Sequence, residues 1–311
     1  MSTEQMDDPN LRCGYVAVIG APNAGKSTLV NYLVGAKVTI VSHKVQTTRN
    51  RILGILTNEF EDLKSQIVLM DTPGLFDPKT RLDRAMVGAA WSGAEEADIV
   101  LYLYDVRKNF PNEDDVRIIK TLNQKQYKNV WLVLNKIDEI KRDELLEITK
   151  TLNEQYEFQK TFMISALKGD GVKSLLNEIT KNLPQNPWFF EEDQMTDLPM
   201  RLLAAEITRE KIFNYLHEEL PYSITVETEE WEEFDDGSLR VRQVIHVERD
   251  SQKGIVLGKG GVMLKRIGSE SRHEMKQILE KNVHLKLFVR VSDGWRNDPV
   301  YFQTWGLDEN A

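Results

Sequence analysis

The chain has 311 residues, 41% hydrophobic and 29% charged, with a net charge of −9. That size and composition suit a globular protein of two domains, and no apolar run nears the roughly 18–20 residues that span a bilayer. Cys13 alone excludes an intrachain disulfide, and the acidic start MSTEQMDDPN lacks the basic-then-apolar pattern of a signal or transit peptide, so an intracellular protein is expected.

In chain order, the first half alternates short β-rich runs with helix-like segments: YVAVIG, RILGIL, QIVLMD, DIVLYLYDV, VWLVLN and FMISA. This is the rhythm of an α/β domain with a largely parallel sheet. Only TNEFEDLKS separates the second run from the third, too short for a crossover, so an antiparallel hairpin is expected there. VKSLLNEITKNL closes a unit over 1–183, behind an acidic tail at 1–11. The proline- and acid-rich stretch 184–198 reads as a linker. A second unit, 199–311, opens with the amphipathic helix MRLLAAEITREKIFNYLHEEL, on which Leu203 and Ile207 fall at helical spacing. Two strands follow, SITVETEEWEE and SLRVRQVIHVER, with Asp236-Gly237 in the turn. After a glycine loop and a helix carrying Met275, Ile278 and Leu279 on one face comes VHLKLFVRV, whose strict alternation from Val283 to Val291 marks a strand with one buried face.

The first strand runs into Gly20-Ala-Pro-Asn23-Ala24-Gly25-Lys26-Ser27, a full G-x-x-x-x-G-K-[ST] phosphate loop, with Thr28 opening the helix behind it. Inward N–H groups and the helix N-terminus hold polyphosphate; Lys26 reaches the β- and γ-phosphates, and the Ser27 hydroxyl ligates Mg²⁺. Three further motifs sit at strand ends. Asp71-Thr72-Pro73-Gly74 resembles DxxG, with Asp71 on the Mg²⁺ side and the Gly74 N–H sensing the γ-phosphate. Asn135-Lys136-Ile137-Asp138 resembles the guanine-specificity motif. Its Asp138 can accept from guanine N1–H and the 2-amino group, a donor pair that adenine lacks. Ser165-Ala166-Leu167 resembles the loop whose Ala166 N–H faces guanine O6. Together they point to GTP and GDP with Mg²⁺. Lys26, Thr48, Asp71 and Gly74 are the candidate catalytic residues, and QTTRNR is the first switch, with Thr48 as the favoured Mg²⁺ ligand and Thr47 the alternative. Loss of the γ-phosphate releases both switch loops.

Leu75 stands where Ras-like enzymes carry the water-orienting glutamine, which fits the subclass with a hydrophobic residue there. In that subclass an asparagine at the position of Asn23 helps to ligate K⁺; the competing reading is a side chain that stabilises the turn.

A second glycine loop, Gly258-Lys259-Gly260-Gly261, lies within GIVLGKGGVMLKRIG at 254–268. It resembles the core of a KH domain, in which a GxxG loop clamps about four nucleotides of single-stranded RNA. Ile255, Gly258, Lys259, Gly260, Gly261, Lys265 and Arg266 are the candidate RNA contacts, while Lys286 and Arg290 are left open. From Arg240 to Arg290 there are 12 Lys/Arg against 5 Asp/Glu, a net of +7, whereas Glu218 to Asp236 holds 9 acids and no Lys or Arg. A local anion-binding face on an acidic body is expected, with the acidic hairpin pointing away. Trp295, Tyr301, Phe302 and Trp305 are expected to pack on the sheet, base stacking being the alternative.

These motifs, with RLLAAEITREKIFNYLHEELPYSITVE, resemble the Era family, bacterial Ras-like GTPases with a C-terminal type II KH domain, over residues 12–295. The resemblance implies a P-loop α/β G domain followed by an α+β KH domain. It also implies GTP hydrolysis, binding of the 3′ end of 16S ribosomal RNA, and assistance to 30S assembly by a monomer. Peripheral association with the inner membrane is implied too, although the sequence carries no anchor or lipidation signal. The competing functions are a signalling switch whose second domain binds a protein or membrane, and an ATP-dependent RNA enzyme, which Asn135 and Asp138 oppose.

Overall fold

The computed structural model describes residues 8–42, 44, 47–108, 112–216 and 220–295. Two compact units emerge from it. The first holds residues up to Val38 and Thr48–Asp197; the second holds Thr39–Thr47 and continues from Leu198.

The first unit is a six-stranded sheet in the order β2-β3-β1-β4-β5-β6. Its strands are β1 (Leu11–Ile19), β2 (Ile52–Phe60), β3 (Leu63–Asp71), β4 (Ile99–Asp105), β5 (Val130–Asn135) and β6 (Lys160–Ile164). All neighbours are parallel except β2 and β3, which form the expected hairpin. The polar stretch between those two apolar runs is itself mostly strand, with Phe60 pairing Leu63 across a two-residue turn. Every residue of β4 and β5 is buried, as required of central parallel strands covered on both faces. Helices α1 (Lys26–Val34), α2 (Arg81–Glu96), α3 (Glu113–Lys125), α4 (Arg142–Gln155) and α5 (Val172–Asn182) complete the unit. A capping box of Thr80 and Asp83 sets the start of α2. Because β1, β3, β5 and β6 run the same way, the four motif loops emerge at one edge of the sheet.

Residues 184–197, read from the sequence as linker, lie in the first unit. Gln66 is fully buried; its Oε1 accepts the N–H groups of Phe189 and Phe190, and its Nε2 donates to the Phe190 carbonyl. Farther along, Ile55 N–H donates to Met195 O at 2.8 Å, and Leu53 N–H to Asp197 Oδ1 at 3.0 Å.

The second unit follows the expected order of helix, strand, strand, helix, loop, helix, strand. Its elements are α6 (Met200–Tyr215), β7 (Thr225–Glu233), β8 (Leu239–Val247), α7 (Asp250–Leu257), α8 (Val262–Leu279) and β9 (Val283–Val291). The sheet order is β7-β8-β9, with β7 antiparallel and β9 parallel to β8. Ile212, Val226, Ile245, Val247, Val256 and Ile267 form its core. Trp295 is buried and donates to the Ser223 carbonyl; Tyr301, Phe302 and Trp305 lie outside the described residues.

The acidic run of β7 meets basic partners within this unit. Glu232 pairs with Arg240, Glu230 with Arg242, and Glu233 with Lys281, while Glu229 takes both Arg242 and Arg290. His246 is buried between Glu227 and Ser292, at 3.1 and 2.9 Å. Burial holds its imidazole below the ordinary value of 6.5, with Glu227 opposing. The unfolded chain therefore takes up a proton that the folded chain resists. Stability from this group is full above about pH 6.5 and falls as the pH drops toward the lowered value. Hydrogen exchange at the Ile245 and Val247 amides should lose protection as the pH falls below about 6.5, and His246→Gln should remove that dependence.

Candidate functional site

The P-loop geometry comes from glycine and asparagine in the left-handed region. Gly20, Asn23 and Gly25 have φ of 153°, 64° and 101°, values an L-residue with a bulky side chain rarely adopts. A Cβ on Gly25 would stand 2.3 Å from Asn135 Nδ2, so only glycine lets this loop dock on β5. Lys26 is buried, its ammonium donating to the Gly20 and Ala21 carbonyls at 3.1 Å each. Burial pulls it down to about 8, with Asp71 opposing.

Three oxygens converge beside it. Ser27 Oγ lies 2.7 Å from Asp71 Oδ2 and 2.9 Å from Thr48 Oγ1, and Thr48 Oγ1 lies 3.4 Å from the same carboxylate oxygen. Two hydroxyls and a carboxylate form a hard, all-oxygen set of the kind Mg²⁺ takes beside phosphate. Thr47 is not part of it. Its hydroxyl donates to Lys44 O and lies 3.0 Å from Ser42 Oγ. Thr72 also turns away, donating to Val18 O at 2.8 Å. Gly74 lies so close to the P-loop that a Cβ would meet Pro22 at about 3 Å, and the next N–H, of Leu75, donates to Gly20 O. The Leu75 side chain is in the core of the first unit.

The base-recognition motifs assemble around the Asn135 carboxamide. It donates to Ala24 O at 2.8 Å and accepts the Ala166 N–H at 2.9 Å. Lys136, itself at φ 70°, donates to Asn23 O and to Asp105 Oδ2. The Ser165 hydroxyl, then Lys168 at 3.1 Å, hold the Asp138 carboxyl below the ordinary carboxylate range, keeping it an acceptor. Leu167 is 77% exposed. Gly20, Asn23, Ala24, Gly25, Lys26, Ser27, Thr48, Asp71, Gly74, Asn135, Lys136, Asp138, Ser165 and Ala166 thus share one edge, Thr28 half-buried in the first turn of α1.

Sequence reading missed Asp105. Burial pushes its carboxyl up, but hydrogen bonds from Arg107 and Lys136 outweigh that and hold it below the ordinary range. The signal was available: Asp105 ends β4 at the edge where the other motifs emerge. Lys168, on Asp138, had no comparable signal.

In the second unit, Gly258, Gly260 and Gly261 have φ of 71°, 64° and 77° between α7 and α8. A Cβ on Gly258 would lie 2.7 Å from Met263 Cβ, whereas Gly260 and Gly261 face open space. Ile255 and Val262 are exposed apolar residues flanking the loop, and Lys259 and Lys265 are exposed beside them. Arg266 is engaged on its own unit, its guanidinium 4.1 Å above the Tyr215 ring and its Nε 3.6 Å from Glu270. Arg290 is tied to Glu229, while Lys286 is exposed.

A family described as 50S ribosome-binding GTPase matches residues 15–136, and the KH domain family matches 219–296. GTPase Era of Sinorhizobium medicae (strain WSM419) is 54% identical over 297 residues, covering 96% of this chain and 94% of that protein. The chain belongs to the Era family of GTPases. Era of Brucella suis biovar 1 (strain 1330) is likewise 54% identical over 96% of this chain and 94% of its own length. A single-residue variant of Aquifex aeolicus Era bound to GDP·AlF₄⁻ superposes with a TM-score of 0.89 at 40% identity, covering 95% of this chain and 99% of the other. Era in complex with MgGDPNP and nucleotides 1506–1542 of 16S ribosomal RNA gives the same score at 39% identity, with the same coverage. As in the rest of the Era family, the fold is a P-loop GTPase unit followed by a KH unit.

An anionic Asp138 can accept the pair of donors that guanine offers and adenine lacks. Asp138→Asn should weaken GTP binding by about 10- to 100-fold, as expected for lost charge-assisted hydrogen bonds. It should also admit xanthine nucleotides. Competition of GTP and XTP for a fluorescent nucleotide measures both effects.

Proposed function

We propose that this protein is a cytoplasmic GTP-hydrolysing switch that binds the 3′ end of 16S ribosomal RNA through its KH unit and assists assembly of the 30S subunit. One observation carries the reading: likeness over 95% of the chain to Era held by both MgGDPNP and that RNA. The exposed, backbone-bare GxxG loop supports it. No helix among the described residues is long and apolar enough to cross a membrane.

In this reading the P-loop N–H groups from Asn23 to Thr28 bind the phosphates, and Lys26 exchanges its carbonyl partners for β- and γ-phosphate oxygens. Ser27, Thr48 and Asp71 hold Mg²⁺, directly or through water. Bound there, Mg²⁺ would supply positive charge to the phosphates, held by those three side chains. The Gly74 N–H reaches the γ-phosphate, and Asn135, Lys136, Asp138, Ser165, Ala166 and Leu167 enclose guanine. Leu75 cannot orient water, so hydrolysis depends more heavily on charge placed at the leaving phosphate. Asn23 is a candidate K⁺ ligand there, and its left-handed backbone equally suits the turn role. Replacing Na⁺ by K⁺ should accelerate turnover several-fold. Equal rates in the two salts would remove the K⁺ role and leave the turn.

At the RNA site Gly258, Gly260 and Gly261 admit the sugar-phosphate chain, Lys259 and Lys265 supply charge, and Ile255 offers an apolar surface to a base. Arg266 borders the loop from its seat on Tyr215. A labelled single-stranded copy of the rRNA 3′ end should bind the protein loaded with GTP analogue more tightly than the GDP form. Substituting both Lys259 and Gly260 with Asp should abolish that binding while GTP hydrolysis continues. RNA affinity unmoved by the double substitution would instead favour a KH unit that binds protein.

A further inference from the structure

Successive carbonyls of the P-loop face ammonium groups. Lys26 donates to those of Gly20 and Ala21, Lys108 Nζ lies 3.5 Å from that of Pro22, and Lys136 donates to that of Asn23 at 2.6 Å. The next carbonyl, of Ala24, accepts from Asn135. With its carbonyls engaged in this way, the loop keeps its N–H groups for phosphate. The Lys136 ammonium has a second partner, Asp105 Oδ2, at 2.7 Å.

The turn after β4 builds that carboxylate site. Asp105 pairs with Asn135 across β4 and β5, which brings it beside the following residue, Lys136. It is 3% exposed. Its Oδ1 accepts the Arg107 N–H at 3.1 Å and Nε at 3.0 Å, and its Oδ2 accepts Arg107 Nη2 at 2.8 Å as well as Lys136. The Lys108 N–H on Asp105 O and the Tyr104 hydroxyl on Lys108 O close the turn, and Arg107 extends to Glu139 Oε2. Both carboxylate oxygens thus receive N–H donors. An amide in this place would set its own NH₂ against one of those donors in either orientation.

Lys136 is the residue on which this support bears. Its backbone lies in the left-handed region at φ 70°, which a lysine adopts only where its surroundings hold it. Its ammonium is tied at two points, Asn23 O and Asp105 Oδ2. The carbon stem behind that ammonium is the part that would lie along guanine. A free lysine stem has large rotamer freedom, so fixing it before the nucleotide arrives removes an ordering cost from binding.

We propose that Asp105 is a positioning residue for the guanine nucleotide: by holding the Lys136 ammonium it presents the lysine stem to the base and slows nucleotide release. That role rests on the reading of Lys136 as a base contact. Asp105, Arg107, Lys136 and the P-loop all belong to the first unit. The base is common to GDP and GTP, so both gain equally and the chemical step does not.

The test is a double-mutant cycle in the full-length protein with Asp105→Asn, Lys136→Met and their combination. For each, Kd for GDP and for a non-hydrolysable GTP analogue, the GDP release rate and steady-state GTP hydrolysis are measured. In D105N both Kd values and KM should rise about tenfold, with faster GDP release and kcat within about twofold of wild type. The combined variant should bind no more weakly than K136M alone. Losses that add in the combination would overturn the proposal, since Asp105 would then act by another route. A kcat lowered about tenfold in D105N would overturn it as well, because that marks damage at the phosphate end. Wild-type affinity in D105N beside weakened binding in K136M would overturn it and leave the base reading of Lys136 intact. Wild-type affinity in K136M would strike the base reading itself, and the proposal with it. Should D105N fail to fold, D105A decides by the same cycle, since it removes the acceptor without burying an unmatched amide.

Discussion

The nucleotide edge of this protein depends on one carboxamide. Asn135 is buried at the end of β5, where its Nδ2 reaches the P-loop carbonyl of Ala24 and its Oδ1 receives the Ala166 N–H. A single planar group thus sets the spacing between the P-loop and the Ser165-Ala166-Leu167 loop. Neither an aspartate nor a leucine could replace it, because one partner requires a donor and the other an acceptor. The absence of a side chain at Gly25 is the matching constraint from the other side. Lys136 and Asp105 continue the same contact outward to Asn23.

Electrostatics divides the second unit in a comparable way. Among the 12 basic residues between Arg240 and Arg290, Arg240, Arg242, Lys281 and Arg290 are matched to carboxylates of β7, while Lys259 and Lys265 are exposed beside the glycine loop. Exposed pairs of this kind contribute little to stability individually. Their larger effect is to neutralise part of the positive charge on the sheet, while Lys259 and Lys265 stay exposed beside the glycine loop.

Much of this was legible in the sequence. Motifs whose chemistry depends on backbone shape, such as GAPNAGKS and GKGG, announce themselves through glycine, and the strands that carry them through apolar runs of the right length. The hairpin of β2 and β3 was predictable because nine residues cannot build a crossover. What stayed hidden was set by partners distant in the chain. The charge of ETEEWEEFDD looked like a solvated hairpin, yet its partners are arginines 8 to 61 positions onward, reachable only once β8 and β9 lie beside β7. Thr47 and Thr48 were indistinguishable by type, and only the geometry separates a hydroxyl on Lys44 O from one beside Asp71. Glu210 and Arg209 of α6 carried no local sign that they bind the Val41 N–H and the Thr47 carbonyl.

Residues 195–197 bear on a different property. Strand β2 lies at one end of the six-stranded sheet, where an uncovered strand would offer its amide groups as a template to any extended chain. Met195 and Asp197 engage the Ile55 and Leu53 N–H groups, and Thr196 bridges to Gly54 between them. The segment joining the two units is therefore also a guard against self-association. A first unit cut off at its last helix would lose that cover, and its solubility would become a question of chain concentration rather than of folding.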